Sequence, residues 1–145
     1  MADDTDTATD PYRLDDQVGY LLRLATQRHT AIFQTMAPGD LTPTQFATMM
    51  RLSEQGSCSQ NQLGRLAAMD ISTIKGVVDR LRQKGLVQTE PSSEDRRRSL
   101  VSLTADGAAM IDMLVRAGRR ITAATLDPLT PSEQRSLLRL LGKMG

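Results

Sequence analysis

Residues 70–103 read DISTIKGVVDRLRQKGLVQTEPSSEDRRRSLVSL, and two different periods share this one stretch. Ile74, Val77, Val78 and Leu81 recur at steps of three and four, the spacing of one helical face. Asp70 opens that helix, over about 70–84, and Gly85 ends it as a C′ glycine. From Leu86 the period becomes two. LVQTE and SLVSL alternate, and the polar PSSEDRRR joins them, which reads as an antiparallel hairpin. Arg96, Arg97 and Arg98 crowd like charges at its tip. The plain reading of such a tip is a solvated turn.

Upstream, SCSQNQLGRLAAM carries Ser59 as a cap with Gln62 three residues on, predicting a short helix over about 60–67. The tight connection Ala68-Met69 separates it from the helix at 70–84. Before it, LTPTQFATMMRLSEQG offers Thr42 as N-cap, Pro43 at the first helical position and Gln45 to close a capping box. That helix is expected over about 43–54, stopping at Gly56. Helix, short helix, tight turn, helix and hairpin make a winged helix-turn-helix, assigned to residues 37–103.

Long helices flank this lobe. Val18, Leu21, Leu22, Ala25, His29, Ile32, Phe33 and Met36 form one apolar stripe over about 15–36, ended by APGD. Thr104 caps a second long helix with Leu103, Met110, Leu114, Ala117 and Ile121 along its stripe. LTPSEQRSLLRLLGKM begins a third with the capping box Thr130, Pro131 and Glu133. The fold class is therefore mainly α with a small β-hairpin wing, with a helical region over 15–36 and 104–145. Residues 1–14, with four Asp and one Arg and no periodicity, read as a disordered acidic leader.

At 3% aromatic and 39% hydrophobic, the core must come from Leu, Ile, Val, Met and Ala, which suits helices. A net charge of +1 implies no partner by itself. Its distribution does: residues 56–103 carry eight Lys or Arg against five acids, a local basic patch for a localised anionic partner. A single Cys excludes an intramolecular disulfide and suits a reducing cytoplasm. The acidic, polar N-terminus excludes a signal peptide, and no apolar run is long enough to span a membrane. The glycines are scattered, so there is no phosphate loop, and the one His and one Cys form no obvious nucleophile pair. No enzyme and no cofactor are expected.

The order of elements gives the polar residues roles. Ser72, Thr73 and Lys75 lie in the first turn of the 70–84 helix, where short hydroxyls and a lysine approach phosphates and base edges. Gly76 lets that helix sit near a duplex, and Arg80 lies one turn on. Ser59 and Gln60, opening the preceding helix, complete the DNA-contact candidates on the helix pair. At the wing tip, arginines gain from the enhanced negative potential of a narrow minor groove. Asp95, two residues before Arg97, is placed to pair locally and stiffen the tip.

These stretches resemble the multiple-antibiotic-resistance regulator (MarR) family of bacterial winged-helix repressors, over roughly 15–143. The most specific segment is LVQTEPSSEDRRRSLVSLTADG. There Gly85-Leu86-Val87, Asp95-Arg96-Arg97 and Leu103-Thr104-Ala105-Asp106-Gly107 match the family's approach to the wing, wing motif and exit into a long helix. The resemblance implies a homodimer with interlocked terminal helices, a near-palindromic double-stranded operator and repression of neighbouring genes. It maps the minor-groove arginine onto Arg97 with Asp95 as partner, leaves Arg96 and Arg98 to phosphates, and places recognition-helix contacts at Ser72, Thr73, Lys75 and Gly76. Independently, the three flanking helices carry more apolar stripe than one small winged-helix core absorbs.

The family commonly senses small aromatic carboxylates or phenols between its dimer helices and its DNA-binding lobe. Here Arg28, His29 and Thr30 gather polar groups beside Phe33, Phe46, Met49 and Met50, and these are the effector-binding candidates. The plain reading of His29 is a hydrogen-bonded core or interface residue; the functional one has it donating to a carboxylate or ring oxygen. VGYLLRLATQRHTAIF and CSQNQLGRLAAMDISTIKGVVDRL look most like the family's repressors of nicotinic-acid degradation, implying a hydroxynicotinate-like inducer. A zinc sensor is excluded because one His and one Cys cannot supply three or four ligands. Redox sensing through Cys58 is the first alternative, although Cys58 lies in the turn before the 60–67 helix, not in the first helix. A winged-helix protein-interaction module without DNA binding is the second, and the wing arginines discriminate against it.

Overall fold

The computed structural model describes residues 10–145; residues 1–9, most of the expected leader, lie outside the described part. A short 3₁₀ turn, Leu14–Asp16, precedes the first helix α1, Val18–Met36. The expected start at Asp15 moves to Val18 because Gln17 is extended and separates the two. Then follow α2 (Pro43–Gln55), β1 (Cys58–Ser59), α3 (Gln60–Leu66), α4 (Ile71–Gln83), β2 (Val87–Pro91), β3 (Ser99–Leu103), α5 (Ala105–Leu126) and α6 (Pro131–Met144).

The helix ends follow their capping chemistry. The Thr42 hydroxyl accepts from Gln45 N–H while Gln45 Oε1 accepts from Thr42 N–H, both at 3.2 Å. Thr130 and Glu133 repeat this at 3.3 and 2.8 Å, and the Thr130 N–H holds the Glu133 carboxyl below its ordinary pKa. Ser59 accepts from Gln62 N–H at 3.2 Å, without the reciprocal bond.

α3 ends in a Schellman motif: Met69 N–H reaches Gly64 O at 2.8 Å and Ala68 N–H reaches Arg65 O at 3.3 Å. Ala68 occupies the left-handed position at φ 56°, so the tight connection is built without glycine. α4 ends the same way, with Gly85 at φ 74° and Leu86 N–H on Leu81 O at 3.0 Å.

The core gathers Met49 and Leu52 of α2, Leu63 of α3, Ile74, Val78 and Leu81 of α4, Val101 of β3 and Leu114 of α5. Each is buried, and each such side chain contributes about 1.5–3 kcal/mol. α3 and α4 approach through a glycine: a Cβ on Gly64 would stand 3.1 Å from Met69 O and 3.2 Å from Ile74 Cγ2. Gly64→Val is expected to destabilise the fold by roughly 1–3 kcal/mol. Thermal unfolding checks this, and an unchanged midpoint would contradict so tight a crossing.

The sheet is antiparallel in the order β1-β3-β2. In the wing Val87 faces Leu103 and Pro91 faces Ser99, one pair beyond the expected strand end at Glu90. β1 adds Cys58 opposite Val101, and two residues are too few to reveal a period in sequence.

Of the flanking helices α5 buries Leu114, Ala117, Ile121 and Leu126, but α1 and α6 bury little within this chain. Of the α1 stripe only Phe33 is buried, while Val18, Leu21 and Leu22 are exposed. α6 has no buried residue, and its Leu138, Leu140, Leu141 and Met144 face outward.

Candidate nucleic-acid interface and adjoining cleft

The start of α4 is fixed by Asp70. Its Oδ1 accepts from Thr73 N–H at 2.7 Å and from the Ser72 hydroxyl at 3.1 Å. The Thr73 N–H, first among these contacts, lowers the Asp70 pKa. This cap orients Ser72 and leaves Thr73, Lys75 and Arg80 exposed on the helix. A Cβ on Gly76 would meet nothing closer than Arg80 Nη1 at 3.8 Å, so packing within the chain does not require glycine there. Ile71, 69% exposed at the first helical position, is an apolar group that sequence reasoning passed over. Its signal was its place one residue before Ser72, off the buried stripe.

The wing tip is closed by Ser92 N–H on Arg98 O at 2.8 Å and Arg98 N–H on Asp95 O at 3.0 Å. Asp95 does brace Arg97, but through the main chain: Asp95 Oδ1 accepts from Arg97 N–H at 3.0 Å. The carboxylate shapes the turn and the guanidinium stays unspent. Among the described residues the ion pairs are Arg13–Asp16, Arg51–Glu54 and Arg82–Asp79, all on single helical turns. Lys75, Arg80, Arg96, Arg97 and Arg98 belong to none of them. A groove of about 270 Å³ brings Ser59 and Gln60 together with Arg97 and Arg98, joined by Asn61 and Ser99.

A second groove, of about 460 Å³, lies between α2 and α5. Phe46 and Met50 line it with Leu114, Val115, Gly118, Arg119 and Thr122. Only these two of the expected effector residues line it. Met49 is fully buried in the core. Phe33 is buried, edge-on to Phe46 with ring centroids 5.6 Å apart, and the His29 ring centroid stands 6.2 Å from that of Phe33. His29 Nδ1 is 3.0 Å from Thr125 Oγ1, and Arg28 donates to Ala124 O at 2.9 Å and Thr125 O at 3.3 Å. Arg28 thus supplies a cation to the carbonyl end of α5. Thr30 is half-buried on α1. The α5 contribution was missed in sequence because Val115, Gly118, Arg119 and Thr122 lie beside the buried stripe, not on it.

Cys58 is 4% exposed, and burial pushes its thiol pKa up. Both disfavour the thiolate that oxidant sensing requires.

No helix among the described residues is long and apolar enough to cross a membrane. Comparison with known proteins assigns the family. Residues 41–99 match the MarR family. The chain is 44% identical over 135 residues to the HTH-type transcriptional repressor NicR of Pseudomonas putida, covering 92% of this chain and 85% of that one. It superposes with a TM-score of 0.87, at 40% identity and over 93% of this chain and 97% of the other, on Bordetella bronchiseptica BpsR. That structure was solved to explain regulation of its DNA binding by 6-hydroxynicotinic acid. A MarR variant from Escherichia coli complexed with operator DNA matches at a TM-score of 0.81 and 25% identity, over 94% and 99% of the two chains. These relatives are transcriptional regulators, and the protein is a transcriptional regulator of the MarR family.

Proposed function

We propose that the protein is a homodimeric repressor that binds a near-palindromic operator and is released by a small aromatic carboxylate. The observation that carries the DNA part is the set of cations without an ion-pair partner among the described residues, exposed on the two elements of the lobe: Lys75 and Arg80 on α4, and Arg96, Arg97 and Arg98 on the wing. Cations left without internal partners are available to phosphates, and their counterions leave when DNA binds. α4 enters the major groove with Ser72, Thr73 and Lys75 at base edges and phosphates, and exposed Ile71 against a thymine methyl. Arg97 enters the minor groove, and Arg96 and Arg98 hold phosphates with Ser59 and Gln60. The exposed apolar faces of α1 and α6 seat the second copy, setting two recognition helices about one helical turn apart.

The groove beside Phe46 has the size and mixed lining of a small-ligand site. Phe46 and Met50 contact the ring, and Arg119, in no ion pair among the described residues, takes the carboxylate. The Phe46–Phe33–His29 contacts link that ring to the Arg28–Thr125 cluster, so a ligand displacing Phe46 reaches α1. The likeness to NicR and to 6-hydroxynicotinate-regulated BpsR makes hydroxynicotinate the first inducer to test.

The test is a titration of hydroxynicotinate, nicotinate, salicylate and benzoate into a protein–operator gel shift. Hydroxynicotinate is expected to free the DNA; if all four fail, the aromatic-acid reading falls. Arg119→Ala is expected to leave DNA binding intact and to raise the concentration needed for release by roughly ten- to hundredfold, as loss of a charge-assisted hydrogen bond requires. An unchanged release curve would remove Arg119 from the site.

A further inference from the structure

Two chain crossings join the flanking helices to the DNA-binding lobe: the 37–42 segment between α1 and α2, and the 103–105 segment between β3 and α5. Both are fastened to the same place, the C-terminal end of α4. At the first crossing, Lys84 Nζ donates to Asp40 O at 2.8 Å and Gln45 Oε1 at 3.1 Å, with Gly39 O at 3.5 Å. Gly39 and Asp40 have φ values of 70° and 52°, a left-handed pair whose carbonyls gather at the lysine. Gln45 is the residue that closes the α2 capping box, so one side-chain oxygen serves both the α2 cap and the α4 latch. At the second crossing, the Thr104 hydroxyl donates to Gly85 O at 2.7 Å and the Thr104 N–H to Leu86 O at 3.1 Å. Gly107, in the first turn of α5, lies so close to Leu86 O that no Cβ fits between them.

We infer that Lys84 is a positioning residue that fixes the recognition helix to the helical region outside the lobe, and thereby sets the distance and angle between the two recognition helices of the dimer. The inference rests on the DNA-binding reading above. An ammonium has three donors, and here its three acceptors are two loop carbonyls and a buried side-chain amide on the far side of the junction. The Thr104 contacts are short and partly main chain, and the same hydroxyl caps α5 by accepting from Gly107 N–H at 3.1 Å, so that crossing is held by the backbone on both sides. Lys84 is the side-chain half of the junction, on a flexible stem, and its loss frees α4 to pivot about the Gly85–Thr104 contact. Lys84 lies at the opposite end of α4 from Ser72 and Thr73, so it acts through the helix without touching DNA in the binding mode proposed.

Spacing discrimination is the readout, because a purely structural role would not move it. Adding or removing one central base pair shifts the half-sites by roughly 3.4 Å and about 35°. A duplex is selected from random-sequence DNA by the wild-type chain, and affinities are measured by fluorescence anisotropy for it and for the two respaced forms. Wild type is expected to bind each respaced duplex about tenfold or more weakly, because both recognition helices cannot then engage. Lys84→Met is expected to cut that ratio to about threefold or less while remaining a folded dimer, and Lys84→Arg to retain it, since it keeps charged donors. Lys84→Gln, with one amide donor group, replaces Lys84→Met should the latter fail to fold. A Lys84→Met dimer, or its Gln substitute, that keeps the wild-type ratio overturns the inference, as does a wild type indifferent to spacing. A wild type that selects no duplex overturns the DNA-binding reading itself, and this inference with it.

Discussion

Arg97→Ala is expected to weaken operator binding by at least about tenfold per half-site, with the dimer and its thermal midpoint unchanged. Arg97 is exposed at the tip of the wing, and its guanidinium has no ion-pair partner among the described residues. Removing it costs the fold nothing. The turn itself survives, because Asp95 accepts from the Arg97 main-chain N–H, which alanine retains. The neighbours act as controls. Arg96→Ala and Arg98→Ala are expected to weaken all duplexes alike and to flatten the salt dependence by about 0.9 for each phosphate no longer neutralised. Arg97→Ala should instead relax the preference for A·T-rich sequence opposite the wing. Anisotropy titrations against selected and base-substituted duplexes separate the two kinds of arginine. Equal affinity for Arg97→Ala and wild type would remove the wing from the interface.

The double variant Leu138→Asp with Leu141→Asp is expected to leave a monomer that binds the operator at least about a hundredfold more weakly. Both leucines are exposed on α6, a helix that buries none of its own residues in this chain. An amphipathic helix with an uncovered apolar face needs a partner, and like charges placed there repel a second copy. One lobe alone inserts one short recognition helix and one wing. Linking two such lobes makes the second engagement intramolecular, worth roughly 10²–10⁴ in affinity. Light scattering should give twice the 15.9 kDa of one chain for wild type and 15.9 kDa for the variant. A variant that remains dimeric would place the interface elsewhere.

The winged lobe was legible because its elements are written in local chemistry. Thr42-Pro43-Gln45, Ser59, Asp70, Gly85 and Thr104 each declare a helix end, and the change of period at Leu86 declares the wing. What stayed illegible depended on long-range packing. β1 exists only because β3 lies beside it. Arg28 and His29 read as pocket residues because they set polar groups close to Phe33 in sequence, yet they face the end of α5, almost a hundred residues away. Met49 reads as a cleft residue by its place beside Phe46 and Met50, but it points one step round the helix into the core. Gly118 and Arg119 carry no local mark, and only the meeting of α2 with α5 gives them a surface to share with Phe46.

Dimeric, phosphate-anchored DNA binding is tested most directly by the stoichiometry and salt dependence of wild-type binding to a duplex selected from random DNA. Two chains per duplex are expected, with an affinity that falls steeply with salt, at a slope of roughly −5 or steeper for six or more phosphate contacts. One chain per duplex, or an affinity indifferent to salt, would contradict it.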